Sequence, residues 1–261
     1  MKSSIDGLSL YHEIHGSGDP VLLVHGFPLS GKLWEPITPA LCQDFRVIVP
    51  DLRGFGQSEA SSSTSMDRFV DDLVALLDEL GESRPVTLVG MSMGGYIAFE
   101  FCRRRPDRLR ALVLANTRAE ADTAAETEAR RETATRVRKE GSEIVARAMA
   151  DKLFGVHAPP ALREEWIERM AAANPIGVAA ALEAMAARPD SFETLATTSL
   201  PMLIVAGEDD TLTPLDGARR MQAAAPHAQL EQIPRAGHMS PVEQPDRFLE
   251  VVSSFLKRLP A

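Results

Sequence analysis

The chain has 261 residues, 44% hydrophobic and 25% charged, a composition that supports one large buried core or two smaller ones. Its net charge of -9 argues against nucleic acid as a partner, although a local pocket is free to differ from the whole. Two cysteines, Cys42 and Cys102, lie far apart inside apolar, helix-like segments. Both are expected to be reduced core residues, with neither a disulfide framework nor metal spacing. Met1-Lys2-Ser3-Ser4 leads into a polar segment rather than an apolar signal core, and no run approaches membrane-spanning length. A cytoplasmic protein with no membrane partner is therefore expected.

In chain order, Asp6-Gly7 supplies the positive φ angles of a hairpin tip, followed by an alternating strand from Leu8 to Ile14. Gly16-x-Gly18 opens no helix and lacks a third glycine, which excludes a dinucleotide loop. Val21 to Val24 is an all-apolar strand of the kind covered on both faces, and it runs into His25-Gly26-Phe27-Pro28. A helix is expected from Lys32 to Cys42, then a strand from Arg46 to Val49 that ends in the glycine-rich Asp51 to Ser58 loop. Ser65 suits a helix N-cap, and Met66, Phe69, Val70, Leu73, Val74, Leu77 and Leu80 recur at helical spacing up to Gly81.

Val86-Thr87-Leu88-Val89-Gly90-Met91-Ser92-Met93-Gly94-Gly95 then joins an apolar strand to a helix through Gly-x-Ser-x-Gly. The turn is too sharp for side chains on either side, so Gly90 and Gly94 remove clashes and Gly95 lets the helix approach the sheet. Ser92 is left at the apex, at the carboxyl edge of the sheet and the positive end of the following helix. Leu109 to Ala115 is another strand. From Arg118 to about Ser199 the chain has no strand-like run, and breaks at Gly141, His157 to Pro160, Asn174-Pro175 and Arg188-Pro189 divide it into about four helices. These read as a cap, residues 118–199, inserted into a core made of residues 1–117 and 200–261. The stretch from Glu120 to Arg138 has so few large apolar residues that much of it is expected to face water. The sheet resumes at Met202 to Ala206, runs into Gly207-Glu208-Asp209-Asp210, and continues with a helix from Pro214 and a strand from Gln229 to Ile233. Gly237-His238 and a last helix from about Pro241, burying Phe248, Val251, Val252, Phe255 and Leu256, complete the chain. Strands alternating with helices imply a mainly parallel sheet covered on both faces.

Ser92, Asp209 or Asp210, and His238 all follow strand ends, where catalysts in such sheets gather. Ser92 would attack a carbonyl, His238 would take and return the proton, and the aspartate would hold the imidazole. The N–H groups of Met93 and Phe27 would meet the oxyanion, since Pro28 has none to offer.

These motifs resemble the α/β-hydrolase family over nearly the whole length of the chain: His25 to Pro28, Asp51 to Ser58, Gly90 to Gly95, Gly207 to Asp210 before Pro214, and Gly237-His238. The order serine, acid, histidine is also that family's. The resemblance is strongest to compact esterases, enol-lactonases and cofactor-free haloperoxidases. It implies an α/β fold with a helical cap and a metal-free, cofactor-free serine hydrolase of small esters or lactones, monomeric or homo-oligomeric. The family's acid stands three residues after the strand-end glycine and four before a proline, which selects Asp210. A serine at the elbow, where dehalogenating and epoxide-opening relatives carry aspartate, implies acyl transfer. The Phe27-Pro28 pair resembles relatives that accept peroxide in place of water. An enol-lactonase-like activity would require cationic groups converging on an anionic substrate, but the arginines of 118–199 are matched by acidic residues, so no basic pocket follows from sequence. A binding protein with vestigial turnover is the reading from another class.

Several residues have structural alternatives. His25, Asp51, Arg53 and Ser58 are expected to fix loops, and Trp34 to lie in the core or pocket wall. The side chains of Phe27, Met93 and Trp166 are pocket candidates, Trp166 with packing as its rival role. Arg118 could reach an anionic group or be salt-bridged. His12, His15, His157 and His227 have no metal-site spacing.

Overall fold

The computed structural model describes residues 1–260. Eight strands form one sheet in the order β1-β2-β4-β3-β5-β6-β7-β8. They are β1 (Lys2–Ile5), β2 (Leu8–His15), β3 (Asp19–Val24), β4 (Phe45–Pro50), β5 (Val86–Met91), β6 (Leu109–Ala115), β7 (Met202–Gly207) and β8 (Gln229–Ile233). The first two are antiparallel, joined at Asp6 and Gly7 with φ of 49° and 78°, and β3 through β8 run parallel. The apolar runs divide by alternate residues between two cores. Leu22, Val24, Leu88, Leu112, Leu114 and Ile204 face one core, and Val21, Leu23, Val89, Val113, Leu203 and Val205 face the other. Because both faces are dry, these strands carry no polar alternation.

The helices are α1 (Thr38–Leu41), α2 (Met66–Glu79), α3 (Met93–Arg104), α4 (Ala124–Glu140), α5 (Glu143–Leu153), α6 (Pro160–Ala171), α7 (Pro175–Ala186), α8 (Phe192–Thr197), α9 (Leu215–Ala224), α10 (Ser240–Glu243) and α11 (Pro245–Lys257). The expected helix over 32–42 is instead a 3₁₀ turn at Gly31–Trp34 followed by the single turn α1. Pro36 and Pro39 lack the N–H groups needed to carry a continuous helix through that span. The expected helix from Pro241 is likewise divided before Pro245 into α10 and α11. Five helices, rather than four, lie between β6 and β7, because the segment after Pro189 forms the short α8. Cys102 is buried, but Cys42 is only half-buried, and both are free. Among the described residues no helix is long and apolar enough to cross a membrane.

Two close approaches of glycine to glycine bind the inserted helices to the sheet. A Cβ on Gly177, in the first turn of α7, would collide with the Gly54 backbone. A Cβ on Gly237 would likewise collide with the backbone of Phe154 and Gly155 after α5. The loop bearing Gly54 is itself fixed from within. Asp51 accepts hydrogen bonds from the Gly31 and Gln57 N–H groups at 2.7 and 2.8 Å, and the Ser58 hydroxyl donates to the Asp51 carbonyl at 2.6 Å. Arg53 forms two hydrogen bonds, of 2.7 and 2.6 Å, with Asp72 of α2, and both residues are buried.

A buried ion pair is costly to break from one side, since the remaining charge stays desolvated. Asp72→Ala is expected to destabilise the fold by about 3–5 kcal/mol in urea unfolding. The double change Arg53→Met with Asp72→Leu should recover most of that loss, as it removes both charges and keeps the volume.

Candidate active site

Ser92 sits between β5 and α3 with φ 55° and ψ -114°, a conformation that costs a non-glycine residue about 1–3 kcal/mol. Its surroundings impose it. The Ser92 N–H donates to the Ala115 carbonyl at 2.9 Å, and the Thr117 hydroxyl donates to the Ser92 carbonyl at 2.8 Å. The elbow is thus tied to the end of β6. Side chains at the neighbouring glycines would not fit: a Cβ on Gly90 meets the Gly94 carbonyl, one on Gly94 meets the Val24 carbonyl, and one on Gly95 meets the Thr117 side chain.

His238 Nε2 lies 2.9 Å from Ser92 Oγ, and its Nδ1 lies 2.8 Å from Asp210 Oδ2. Asp210 accepts further hydrogen bonds on Oδ2 from the Thr213 hydroxyl at 2.6 Å and the Asn116 amide at 2.9 Å. Its Oδ1 accepts from the Leu212 and Thr213 N–H groups, each at 2.9 Å. Burial alone would raise the Asp210 pKa, but the His238 charge and the donors from His238 and Thr213 outweigh it and lower it to about 2. An ionised carboxylate only accepts, so the proton is assigned to His238 Nδ1, and Nε2 is left to accept from the Ser92 hydroxyl. Asp209 faces away from His238, its Oδ2 buried without a hydrogen-bond partner beside Gly155. Of the two adjacent aspartates, Asp210 is the one beside the histidine.

The loop His25 to Pro28 packs directly on the elbow, where a Cβ on Gly26 would fall 3.1 Å from Ser92 Cβ. In it His25, fully buried, donates from Nδ1 to the Gly26 carbonyl at 2.8 Å and accepts at Nε2 from the Leu52 N–H at 3.0 Å. Burial lowers its pKa and keeps that ring neutral.

A cavity of about 400 Å³ opens over Ser92 and His238, between the sheet edge and α4, α5 and α7. Phe27, Tyr96, Arg118 and Arg130 are among its lining residues. Two of the sequence-derived pocket residues are not. The Met93 side chain is fully buried in the core beneath α3, leaving only its backbone at the site. Trp166 is buried with Met170 and borders a separate cleft beside Pro28 and Leu29, because α6 packs away from the mouth of the cavity. Trp34 is core, against Phe248. Arg118 lines the cavity and is salt-bridged to Asp122 and Glu126 at 2.6 and 2.9 Å.

Three residues that carry no motif complete the network. Asn116, at the end of β6, donates to both Asp210 and the Gly237 carbonyl and accepts from Ser240. Its position at a strand carboxyl end was the available signal. Thr213 donates to Asp210. Glu243 accepts from the N–H groups on both sides of His238, Gly237 at 2.9 Å and Met239 at 3.1 Å, and from Gly155 of the insertion at 2.8 Å. Burial raises the Glu243 pKa, against the lowering effect of those three donors.

Residues 19–245 match the family described as alpha/beta hydrolase fold. The chain is similar to a thermophilic esterase from Thermogutta terrifontis solved with malate bound, with 39% identity, TM-score 0.96 and coverage of 100% of this chain and 99% of that one. It is similar to the enol-lactonase from Burkholderia xenovorans LB400, with 25% identity, TM-score 0.91 and coverage of 99% and 100%. It is also 28% identical to 3-oxoadipate enol-lactonase 1 of Acinetobacter baylyi, over 99% of this chain and 97% of that protein.

A carboxyl group held below its ordinary pKa contributes stability above that ordinary value and loses it as pH falls through the lowered one. The unfolding free energy is therefore expected to fall between about pH 4 and pH 2 more steeply in the native chain than in Asp210→Asn, measured by urea unfolding at stepped pH.

Proposed function

Because the chain belongs to the α/β-hydrolase family, we propose that it cleaves carboxylic esters or lactones of small molecules through an acyl-enzyme on Ser92. The observation that carries this reading is the unbroken hydrogen-bond chain from Ser92 Oγ through His238 to Asp210 at 2.9 and 2.8 Å. Ser92 Oγ attacks the carbonyl carbon while His238 Nε2 takes its proton, and Asp210 stabilises the imidazolium without itself becoming protonated. The negative charge that develops on the carbonyl oxygen is met by the N–H groups of Phe27 and Met93, neither of which donates to another group among the described residues. Collapse expels the alcohol, which receives the proton from His238. Water then enters by the same steps in reverse and frees the acid. In a lactone the alcohol stays tethered, so the product is a hydroxy or oxo acid.

Residues 118–199 act in this reading as a cap over a core of residues 1–117 and 200–261, and the space beneath it limits the substrate to small molecules. No step calls on a metal or a cofactor. The esterase and enol-lactonase relatives, aligned over nearly the full chain, favour ester and lactone substrates over other hydrolase chemistry.

Initial rates on p-nitrophenyl esters from acetate to decanoate and on a series of lactones test the proposal. Ser92→Ala is expected to lower kcat/KM by at least about 10⁴-fold. His238→Ala should abolish rapid labelling of Ser92 by a fluorophosphonate, read by intact mass. Labelling at the native rate in that variant would remove His238 as the base.

A further inference from the structure

On a chain with a net charge of -9, the wall of the Ser92 cavity reverses sign. Arg118, Arg130, Arg136 and Lys152 line it, against the single carboxylate of Glu126. Glu126 has no capacity left for them all. One oxygen accepts from Arg118, and the other closes a capping box with the Thr123 N–H and hydroxyl at 2.8 and 3.0 Å. Behind the wall the Asp122 side chain, itself inaccessible, is shared by three guanidinium groups, those of Arg118, Arg130 and Arg188. Arg188 is held in place by the Met185 and Glu120 carbonyls and stacks over the Tyr96 ring at 4.1 Å. Arg118 is committed to Asp122 and Glu126, and Arg136 to Glu140.

Arg130 differs from its neighbours. Its Nε donates to Asp122 at 2.5 Å, which fixes the guanidinium plane. Its Nη1 has only the Met185 thioether at 3.6 Å, and its Nη2 has no partner among the described residues. A guanidinium anchored through Nε with its Nη edge open is the half of a bidentate pair that a carboxylate completes. Lys152, also on the lining, has no ion pair among the described residues. The same lining carries the apolar side chains of Phe27, Ile144, Val145, Met149, Leu182 and Leu212.

We infer that the cavity selects esters or lactones bearing a free carboxylate, separated from the scissile carbonyl by a short apolar chain, and that Arg130 is the residue that recognises it, with Lys152 assisting. The inference rests on the hydrolase reading and narrows it to one substrate class. A neutral substrate would leave the Arg130 edge facing an apolar chain, so discrimination arises from the group left unpaired as well as from the pair formed.

The test compares kcat/KM, by pH-stat, for the monomethyl esters of glutarate and adipate with methyl pentanoate and methyl hexanoate. 4-Acetoxybutanoate, compared with butyl acetate, places the carboxylate on the leaving group instead. The native protein is expected to prefer the anionic member of at least one pair by tenfold or more, and the preferred pair identifies the side that carries the charge. Arg130→Gln should reduce that preference at least tenfold and Lys152→Gln by less, and 1 M NaCl should reduce it in the native protein. Because the readout is a ratio within one preparation, a partly folded variant does not distort it, and Arg130→Lys, which keeps the charge but not the fork, should restore only part. Equal or better rates on the neutral members, or a ratio unmoved in Arg130→Gln, would overturn the inference. Should none of the esters be hydrolysed, the hydrolase reading itself is at fault. Calorimetric titration of glutarate into Ser92→Ala and into Ser92→Ala with Arg130→Gln then decides the carboxylate site separately. Binding lost with Arg130 supports the site, and no binding to either overturns it.

Discussion

The site depends on one strained residue. Ser92 occupies positive φ at the junction of β5 and α3, and the geometry persists because the surroundings leave no other. Gly90, Gly94 and Gly95 each lie where a side chain would strike backbone or Thr117, so β5, the first turn of α3 and the ends of β3 and β6 pack closer than any other residue would permit. That closeness places the serine hydroxyl above the sheet edge within 2.9 Å of His238, at the start of a helix whose dipole favours negative charge. The strain, about 1–3 kcal/mol, is offset by two dry cores that the same packing creates.

A second constraint holds the histidine. His238 lies on a loop, yet the N–H groups of both its neighbours are bound by Glu243, and Asn116 binds the Gly237 carbonyl and Asp210 together. Glu243 also binds Gly155 in the inserted helices, and the Met239 N–H reaches the Leu153 carbonyl as well. The insertion and the histidine loop therefore share one half-buried carboxylate, so the roof of the cavity and the position of the imidazole are mechanically linked. The price of that link is a desolvated acid whose pKa is raised by burial.

Sequence made the sheet legible wherever both faces are covered. β6 has the expected ends, and β5 and β7 read as apolar runs in which only Thr87 is polar; the edge strand β8, half exposed, also has the expected ends. α2 was equally clear, from its Ser65 cap to Gly81 with φ 64°. The span 32–42 departs from the continuous helix its apolar spacing suggests because its prolines are not compatible with one. At the site, the serine and the histidine stand out by their spacing around fixed turns, whereas the preference for Asp210 over Asp209 came from the family resemblance. Asn116, Thr213 and Glu243 do not stand out, since a single polar residue after a strand or in a short helix has no periodicity. The cationic wall was illegible for a different reason. The arginines of α4 are matched in number by acids, and only the folded geometry shows which guanidinium edges those acids leave open.

The most direct measurement is acid quench of the native protein within milliseconds of mixing with p-nitrophenyl acetate, followed by peptide mass spectrometry. If Ser92 forms the acyl-enzyme, the peptide containing it carries one acetyl group while p-nitrophenol appears in a burst matching the enzyme concentration. Turnover with neither a burst nor an adduct on that peptide, or with the acetyl group on another residue, would contradict nucleophilic catalysis at Ser92.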